Sequence, residues 1–214
     1  MKNVLVVGLG RFGLGIAKKL REMGYDVLAV DRQEERAHAA LPYVTDIQIG
    51  DSTSPEFLDT LEVPGFDCCF VAISDDYQSA METTALLREK GAKFIISRAA
   101  RDIQKKLLLS IGADRVVYPE GQLAEWAAVC YTSEQILNYT ALGIDCALYE
   151  VRIPADWMEK TIGELDIPGR HRLRLIGVKK EGEVHAELSP DSVLSQDMTL
   201  LLMGRNEDIH KLFG

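Results

Sequence analysis

The chain of 214 residues has 24 lysines and arginines against 33 aspartates and glutamates, a formal net charge of −9 at pH 7. This acidic balance argues against binding to nucleic acid or to an anionic membrane surface. With 47% hydrophobic residues the chain can form a substantial core, but no apolar run approaches the roughly 20 residues of a membrane span, so we expect a cytoplasmic protein that reaches any membrane through a partner.

The first predicted elements are a buried strand over residues 4–7 and a helix over residues 12–23, joined by a glycine turn. The turn reads Gly8-x-Gly10-x-x-Gly13, the spacing of a dinucleotide-binding βαβ unit. In that motif the glycines permit a tight turn, a close approach of backbone to phosphate and close packing of the helix on the sheet. The helix directs free N–H groups and its positive end at the phosphates. A Rossmann turn that binds nothing is the alternative.

Two charged residues strengthen the prediction of a nucleotide site. The second predicted strand, over residues 26–30, ends in Asp31, 23 residues after Gly8, where a carboxylate accepts hydrogen bonds from ribose hydroxyls. Arg11 lies inside the glycine turn, where a fixed cation suits a polyphosphate because it adds charge-assisted hydrogen bonds. A solvated arginine is the alternative, which the helix dipole disfavours.

The alternation of helices and strands continues as far as residue 118. Predicted helices cover residues 34–41, 55–61, 77–90 and 102–111, and predicted strands cover residues 46–50, 66–73, 93–97 and 115–118. Six strands alternating with helices indicate an α/β fold with a Rossmann-like, doubly wound parallel sheet. The ligand crevice of such a sheet lies beyond the carboxyl ends of the strands.

The residues that follow the strands are therefore the candidate ligand contacts. Ordinary alternatives exist: Asp31 and Asp51 could cap helices, Arg98 could be a solvated surface charge, and Glu120 could belong to a helix N-cap. The candidates are Gly8, Gly10, Arg11, Phe12, Gly13, Asp31, Arg32, Asp51, Ser52, Ile73, Ser74, Arg98 and Glu120.

The last third of the chain predicts a second, smaller module. A long amphipathic helical segment over residues 123–139 suits packing either on another subunit or on its own sheet. From about residue 141 we predict a small α+β unit. Its strands cover residues 147–153, 173–179, 184–188 and 199–203, and its helices cover residues 157–165 and 207–213. About seventy residues would be marginal alone, so we expect this module to dimerise.

The sequence contains none of the catalytic motifs that would indicate an enzyme. No tyrosine is followed by lysine four places later, and there is no G-x-S-x-G, H-E-x-x-H or Walker A lysine. The four cysteines form no C-x-x-C pair and are predicted to be buried thiols, and the four histidines are too scattered for a zinc site. We expect no catalytic residues, and an NAD-dependent oxidoreductase is the alternative class.

Together these motifs resemble the RCK domain, the regulator of potassium conductance. The resemblance is carried by residues 8–13, 29–31, 50–52 and 111–120, covers the whole chain, and is closest to cytosolic regulatory subunits of Ktr/Trk-type bacterial potassium uptake systems. It implies an N-terminal nucleotide-binding RCK domain over residues 1–119, crossover helices over residues 120–140 and a C-terminal RCK domain over residues 141–214.

The resemblance implies a ligand-gated regulator rather than an enzyme. Homodimers would assemble into an octameric ring beneath a membrane potassium channel subunit, at the inner face of the cell membrane. ATP or ADP, or NAD(H) as in Trk relatives, would bind the N-terminal domain and change the shape of the ring. Asp31 suits the ribose of both ligands, so the sequence leaves that choice open. A redox-sensing or NAD(H)-sensing RCK protein that serves another transporter is a further alternative.

The resemblance also implies roles for single residues. By position, Asp31 and Arg32 would contact the ribose and its surroundings, Asp51 and Ser52 would contact the adenine, and Arg98 would lie near the phosphates.

The resemblance implies three further roles, two for single residues near neighbouring subunits and one for a group of residues in the C-terminal domain. Arg11 would reach the terminal phosphate of a nucleotide on its own or the neighbouring subunit, and Glu120 would help to hold a divalent cation between subunits. Some Ktr relatives bind cyclic di-AMP in the C-terminal domain. The residues of this chain that fall in that region are Ile162, Ile167, Arg170, His171 and Pro190.

Overall fold

The computed structural model describes residues 2–214, which form two compact units. The first unit ends at Gly121, and the second runs from Gln122 to Gly214. Among the described residues, no helix combines the length and the apolar character that crossing a bilayer requires.

The first unit is a six-stranded parallel sheet, as predicted, and the structure adds its strand order: numbered along the chain, the strands lie as β3-β2-β1-β4-β5-β6. Its strands are β1 Asn3–Val7, β2 Asp26–Asp31, β3 Asp46–Ile49, β4 Cys68–Val71, β5 Ile95–Arg98 and β6 Arg115–Val117. Its helices are α1 Arg11–Glu22, α2 Glu34–Ala40, α3 Pro55–Asp59, α4 Tyr77–Glu89 and α5 Asp102–Ser110, with short 3-10 turns at Leu41–Tyr43 and Val63–Gly65. The strand order reverses between β1 and β4, which is where such sheets bind ligands.

The apolar run at the start of the chain forms the centre of this sheet because helices cover both of its faces. Leu5 and Val7 of β1 pack into the core on one face, and Val4 and Val6 pack into the core on the other. A strand buried on both sides needs continuous apolar residues rather than alternation. The predicted cap of α3 is also present, since the Ser54 hydroxyl accepts the Phe57 backbone N–H at 3.2 Å.

Two buried hydroxyl pairs tie α4 to its neighbours. The hydroxyls of Ser52 and Thr83 lie 2.8 Å apart, and those of Thr84 and Ser97 lie 2.8 Å apart. Thr83, Thr84 and Ser97 are fully buried. Because a buried hydroxyl without a partner is costly, these pairs fix α4 against the loop after β3 and against β5, at the edge where the strands end.

The second unit is an antiparallel sheet in the order β10-β9-β11-β8-β7. Its strands are β7 Ile136–Ala141, β8 Cys146–Arg152, β9 Arg174–Lys180, β10 Glu183–His185 and β11 Met198–Arg205. Its helices are α7 Ile162–Leu165, α8 Ile167–His171 and α9 Asn206–Phe213, and α6, Pro119–Tyr131, carries the chain into this unit. Tyr149, fully buried, stacks on Tyr139 and donates a 2.9 Å hydrogen bond to Asn206.

The predicted helical segment over residues 123–139 is wrong in its second half. The helix ends at Tyr131, and residues 136–141 instead form β7, which pairs antiparallel with β8. The turn between them is held by Ser133, whose hydroxyl accepts the Gln135 N–H at 3.1 Å. An available edge of β8 outweighs the local helical periodicity, because strand formation depends on the neighbouring strand.

Three smaller predictions also differ from the structure. The predicted helix over residues 157–165 is a 3-10 turn at Ala155–Trp157 followed by the separate α7, since Glu159 adopts a left-handed φ of 63° and Thr161 starts a capping box. The strand predicted over residues 184–188 is confined to β10, and the one predicted over residues 66–73 is confined to β4.

Helix α6 packs on its own sheet through part of its surface. Trp126 lies against the core of the second unit, and its indole N–H donates to the Asn138 side chain at 2.8 Å. Leu123 and Tyr131 are 64% and 79% exposed. Packing on the protein's own sheet therefore accounts for the tryptophan side of the helix but leaves these two side chains uncovered within the chain.

The neighbouring thiols of β4 are predicted to be unreactive in the folded protein. Burial raises the pKa of Cys68 to about 11 and that of Cys69 to about 12. Because the thiolate is the nucleophile, iodoacetamide at pH 8 should leave Cys69 unmodified in the native protein and alkylate it in urea, as read by peptide mass spectrometry. Equal rates of alkylation in both conditions would contradict the burial of β4.

Candidate functional site

A cleft lies at the carboxyl edge of the first sheet, beyond β1, β2, β3 and β4. Eight of the predicted contact residues line it: Gly8, Gly10, Asp31, Arg32, Asp51, Ser52, Ile73 and Ser74. The remaining candidates, Arg11, Phe12, Gly13, Arg98 and Glu120, are not among the residues that line this cleft. The structure thus brings together most, but not all, of the residues that follow the strands.

Two of the three glycines of the turn, Gly8 and Gly13, have no room for a side chain. Gly8 adopts φ +90°, a left-handed conformation, and a Cβ there would lie 3.0 Å from the Ile73 backbone nitrogen. A Cβ on Gly13 would overlap the carbonyl oxygen of Gly8. Gly10 is the N-cap of α1 and offers no side chain to the first-turn N–H groups. These groups are therefore free of side-chain caps at the place where the motif binds phosphate.

Asp31 is the most constrained polar side chain of the cleft. It is 5% exposed, and its carboxylate accepts the Leu9 N–H at 2.6 Å and the Gln33 N–H at 2.8 Å. The first bond anchors the glycine turn to the end of β2, and the second supports the entry to α2. A carboxylate has about four acceptor positions, so Asp31 can hold both bonds and still accept from a ligand hydroxyl.

Asp51 and Ser52 face different surroundings after β3. The Asp51 carboxylate is exposed and accepts from the Thr53 N–H at 2.9 Å and the Thr53 hydroxyl at 2.8 Å. These hydrogen bonds to Thr53 lower the pKa of Asp51 below its usual value. The Ser52 hydroxyl is buried and paired with Thr83, so Ser52 is fixed by the fold before any ligand binds.

Two ion pairs span the mouth of the cleft. Arg32 lies 3.8 Å from the Asp76 carboxylate, and Arg36 lies 3.2 Å from the Asp75 carboxylate. The arginines follow β2, whereas the aspartates follow β4. Arg36, Asp75 and Asp76 are not among the predicted candidates, although the two aspartates follow a strand and the strand-end rule could have found them.

Arg98 is held beside the cleft rather than in solvent. Its guanidinium lies 5.6 Å from the centre of the Phe12 ring and forms an ion pair with Glu120. Its side chain is 11% exposed, and within residues 2–214 its Nε has no hydrogen-bond partner. A small hollow next to it is lined by Ile73, Ser74 and other residues. The alternative of a solvated surface charge is therefore wrong for Arg98.

Arg11 and Glu120 are predicted to contact a terminal phosphate and a divalent cation, and the structure shows their surroundings within one chain. Arg11 is exposed at the first position of α1. Glu120 is occupied by Arg98, and the described part of the chain contains no group of three or more histidine, cysteine, aspartate or glutamate residues that could hold a metal ion. One carboxylate paired with a guanidinium does not fit a divalent cation, which prefers several oxygen ligands.

The glycine turn, the buried carboxylate after β2 and the cleft at the switch point define a Rossmann-type domain with a dinucleotide-binding fingerprint, followed by a small antiparallel unit. Residues 4–119 match the family model described as TrkA-N domain, and residues 148–213 match the TrkA-C domain. The chain therefore belongs to the TrkA family of RCK-domain proteins, within the Ktr/Trk regulatory subunits.

Curated relatives agree with this assignment over nearly the full length of the chain. It is 31% identical over 210 residues to Ktr system potassium uptake protein A of Bacillus subtilis, covering 98% of this chain and 95% of the relative. It is 32% identical over 210 residues to Ktr system potassium uptake protein C of the same organism, with the same coverage.

Solved RCK structures share the fold. The crystal structure of the GsuK RCK domain superposes with a TM-score of 0.68 at 19% identity and covers 99% of this chain and 46% of that one. The GsuK channel superposes with a TM-score of 0.73 at 20% identity and covers 99% of this chain and 38% of that one. The present chain thus spans less than half the length of these structures.

Proposed function

We propose that this protein is a nucleotide-binding regulatory subunit that gates a potassium uptake channel or transporter of the Ktr/Trk type, and that it is not an enzyme. The Ktr relatives over 98% of the chain support the regulatory role in potassium transport. The single observation that supports ligand binding best is the cleft that Asp31 lines together with Gly8 and Gly10, at the start of a helix without a side-chain cap.

The proposed ligand is ATP or ADP, with NAD(H) as the alternative. The adenosine part common to these nucleotides suits a cleft with a ribose-binding carboxylate and a helix N-terminus. One structure of the same fold is of the GsuK channel bound to NAD, at 18% identity and a TM-score of 0.68. Mass spectrometry of the nucleotide released from the purified protein on denaturation tests the choice. A protein that neither releases nor binds any adenine nucleotide would contradict the proposal.

The proposed partners are further copies of the chain and a membrane subunit. Homodimers would form an octameric ring at the inner face of the membrane, beneath a Ktr/Trk-type potassium channel subunit. A ligand moves such a ring only through its different affinity for two ring states, and coupling energies of about 1–3 kcal/mol are typical. Light scattering of the purified protein with each nucleotide tests the assembly, and co-purification with the channel subunit tests the partnership.

Two further ligands are proposed only from the family resemblance. A divalent cation at Glu120 would need additional ligands from a second subunit, since one chain does not supply them. Cyclic di-AMP would bind the second unit near Ile162, Arg170, His171 and Pro190. Ile167 is 1% exposed in the core of that unit, so it would support such a site through packing rather than through direct contact.

Replacing Arg11 is predicted to narrow the difference in affinity between ATP and ADP. If the exposed guanidinium reaches a terminal phosphate, on its own or an adjacent subunit, Arg11→Ala removes a charge-assisted contact that ADP cannot make. Isothermal calorimetry should show weaker ATP binding and nearly unchanged ADP binding. Arg21→Ala, which removes an exposed arginine from the last turn of the same helix, is the matched control. Equal ATP/ADP ratios in wild type and Arg11→Ala would reject the role.

A further inference from the structure

The sequence leaves the phosphorylation state of the ligand's ribose undecided. In dinucleotide-binding folds an acidic residue after the second strand accepts the ribose 2′-hydroxyl, whereas a nearby arginine accommodates a 2′-phosphate. This chain has both, because Asp31 is followed by Arg32, and Arg36 lies one helical turn further on. All three line the cleft. The deciding question is whether the two guanidiniums are available to a phosphate.

The structure shows that both guanidiniums already have carboxylate partners. Arg32 pairs with Asp76 at 3.8 Å, and Arg36 pairs with Asp75 at 3.2 Å, across the mouth of the cleft. The cleft lining has four aspartates, counting Asp31 and Asp51, but only these two basic residues. Its formal charge is therefore negative, which opposes the entry of additional phosphate charge.

The two aspartates after β4 are held in place by their own loop. The Ser74 hydroxyl donates to Asp75 at 3.0 Å. Asp76 caps α4 by accepting the Ser79 N–H at 3.1 Å and the Ser79 hydroxyl at 2.7 Å. The hydrogen bond from Ser74 lowers the pKa of Asp75, and the hydrogen bonds from Ser79 lower the pKa of Asp76. Both side chains are thus hydrogen-bonded within their own loop and ionised at neutral pH.

We propose that Asp75 and Asp76 are specificity-determining residues that engage Arg32 and Arg36 and so restrict the cleft to adenine nucleotides with an unphosphorylated ribose. The inference rests on the proposed nucleotide-binding function and deepens it. A 2′-phosphate would place roughly two additional negative charges next to Asp31. It would also compete with the two aspartates for the arginines, which, among residues 2–214, are the basic residues that line the cleft.

The test compares AMP with adenosine 2′,5′-bisphosphate, which differ only by the 2′-phosphate and share the adenosine 5′-phosphate of both ATP and NAD. On the full chain, competition calorimetry should show that the wild type prefers AMP by at least about tenfold. The variant Asp75→Asn/Asp76→Asn frees both guanidiniums and should shrink this preference by roughly tenfold, given two exposed ion pairs. Asparagine keeps a side-chain oxygen for Ser74 and is a good N-cap for α4.

Three further variants make the result specific. Asp59→Asn removes an exposed aspartate paired with Lys90 outside the cleft lining and should leave the preference unchanged. Arg32→Gln/Arg36→Gln, added to the aspartate variant, should restore the preference for AMP. Asp75→Asn alone leaves the cap of α4 intact and should show part of the effect.

The outcomes separate this inference from the function on which it rests. An aspartate variant with the wild-type preference, or one whose affinity for both probes changes equally, would overturn the specificity role while nucleotide binding stands. A wild-type protein that binds neither AMP, ATP nor NADH would overturn the proposed function, and this inference with it.

Discussion

Replacing Gly13 by alanine is expected to abolish measurable adenine-nucleotide binding and to destabilise the protein. A Cβ at this position overlaps the carbonyl oxygen of Gly8 and comes within 3.0 Å of the Ala72 Cβ. Because Gly8 and Ala72 directly follow β1 and β4 and are hydrogen-bonded to neighbouring strands, α1 must move away from the turn. Overpacking of this kind costs about 1–3 kcal/mol, and the displaced helix would no longer direct its first N–H groups at a phosphate.

The matched control lies in the same helix. Gly15 has no atom within 4 Å of an added Cβ, so Gly15→Ala should retain binding and gain up to about 1 kcal/mol from helix propensity. Urea denaturation measures the two stabilities, and calorimetry with ATP, ADP and NADH measures binding. Nucleotide binding by Gly13→Ala at the wild-type affinity would show that the glycine turn is not part of the ligand site.

Replacing Asp31 by alanine is expected to lower nucleotide affinity by about a hundredfold. The change removes the acceptor that holds the Leu9 N–H at 2.6 Å and the Gln33 N–H at 2.8 Å, together with the proposed acceptor for the ribose. Hydrogen bonds to a charged group are worth about 1.5–3 kcal/mol each. The glycine turn would lose its anchor to β2, so binding should fall through both the missing contact and the loosened turn.

A control at the opposite end of the sheet separates local from general effects. Asp67 also accepts a backbone N–H, that of Asn3, at 3.1 Å, but at the amino end of β1. Asp67→Ala should therefore leave nucleotide affinity unchanged in the same calorimetric titration. If Asp31→Ala binds ATP and NADH as tightly as the wild type does, the Asp31 carboxylate has only a structural role, and the alternative that Asp31 caps a helix without contacting a ligand is correct.

Much of the first unit follows from local signals in the sequence. The uninterrupted apolar run of β1 indicates a strand covered on both faces, and the alternation of strands with helices indicates a parallel doubly wound sheet. The structure confirms both. The strand-end rule also brings eight of the thirteen candidate residues to the lining of one cleft, because all parallel strands end at one edge of the sheet.

The second unit shows the limit of that reasoning. Residues 136–141 have a pattern compatible with a helix, yet they form β7 because β8 offers an edge to pair with. The break between the 3-10 turn at Ala155–Trp157 and α7 depends on the left-handed Glu159, a conformation that is rare for residues other than glycine. Whether such a segment becomes a helix or a strand depends on residues that are distant in sequence but adjacent in the fold. The periodicity of a short stretch of sequence carries no information about them.

The sequence by itself determined the parallel sheet, the edge at which its strands end and the fingerprint of Gly8, Gly10, Gly13 and Asp31, because these depend on local periodicity and on a turn in which Gly8 and Gly13 leave no space for a side chain. Only the tertiary structure decided which charges face each other across the cleft. It paired Arg32 and Arg36 with the aspartates after β4, and it buried Arg98 against Phe12 and Glu120. The physical reason is that Coulomb interactions depend on distance in space, and the fold brings together side chains that are far apart along the chain.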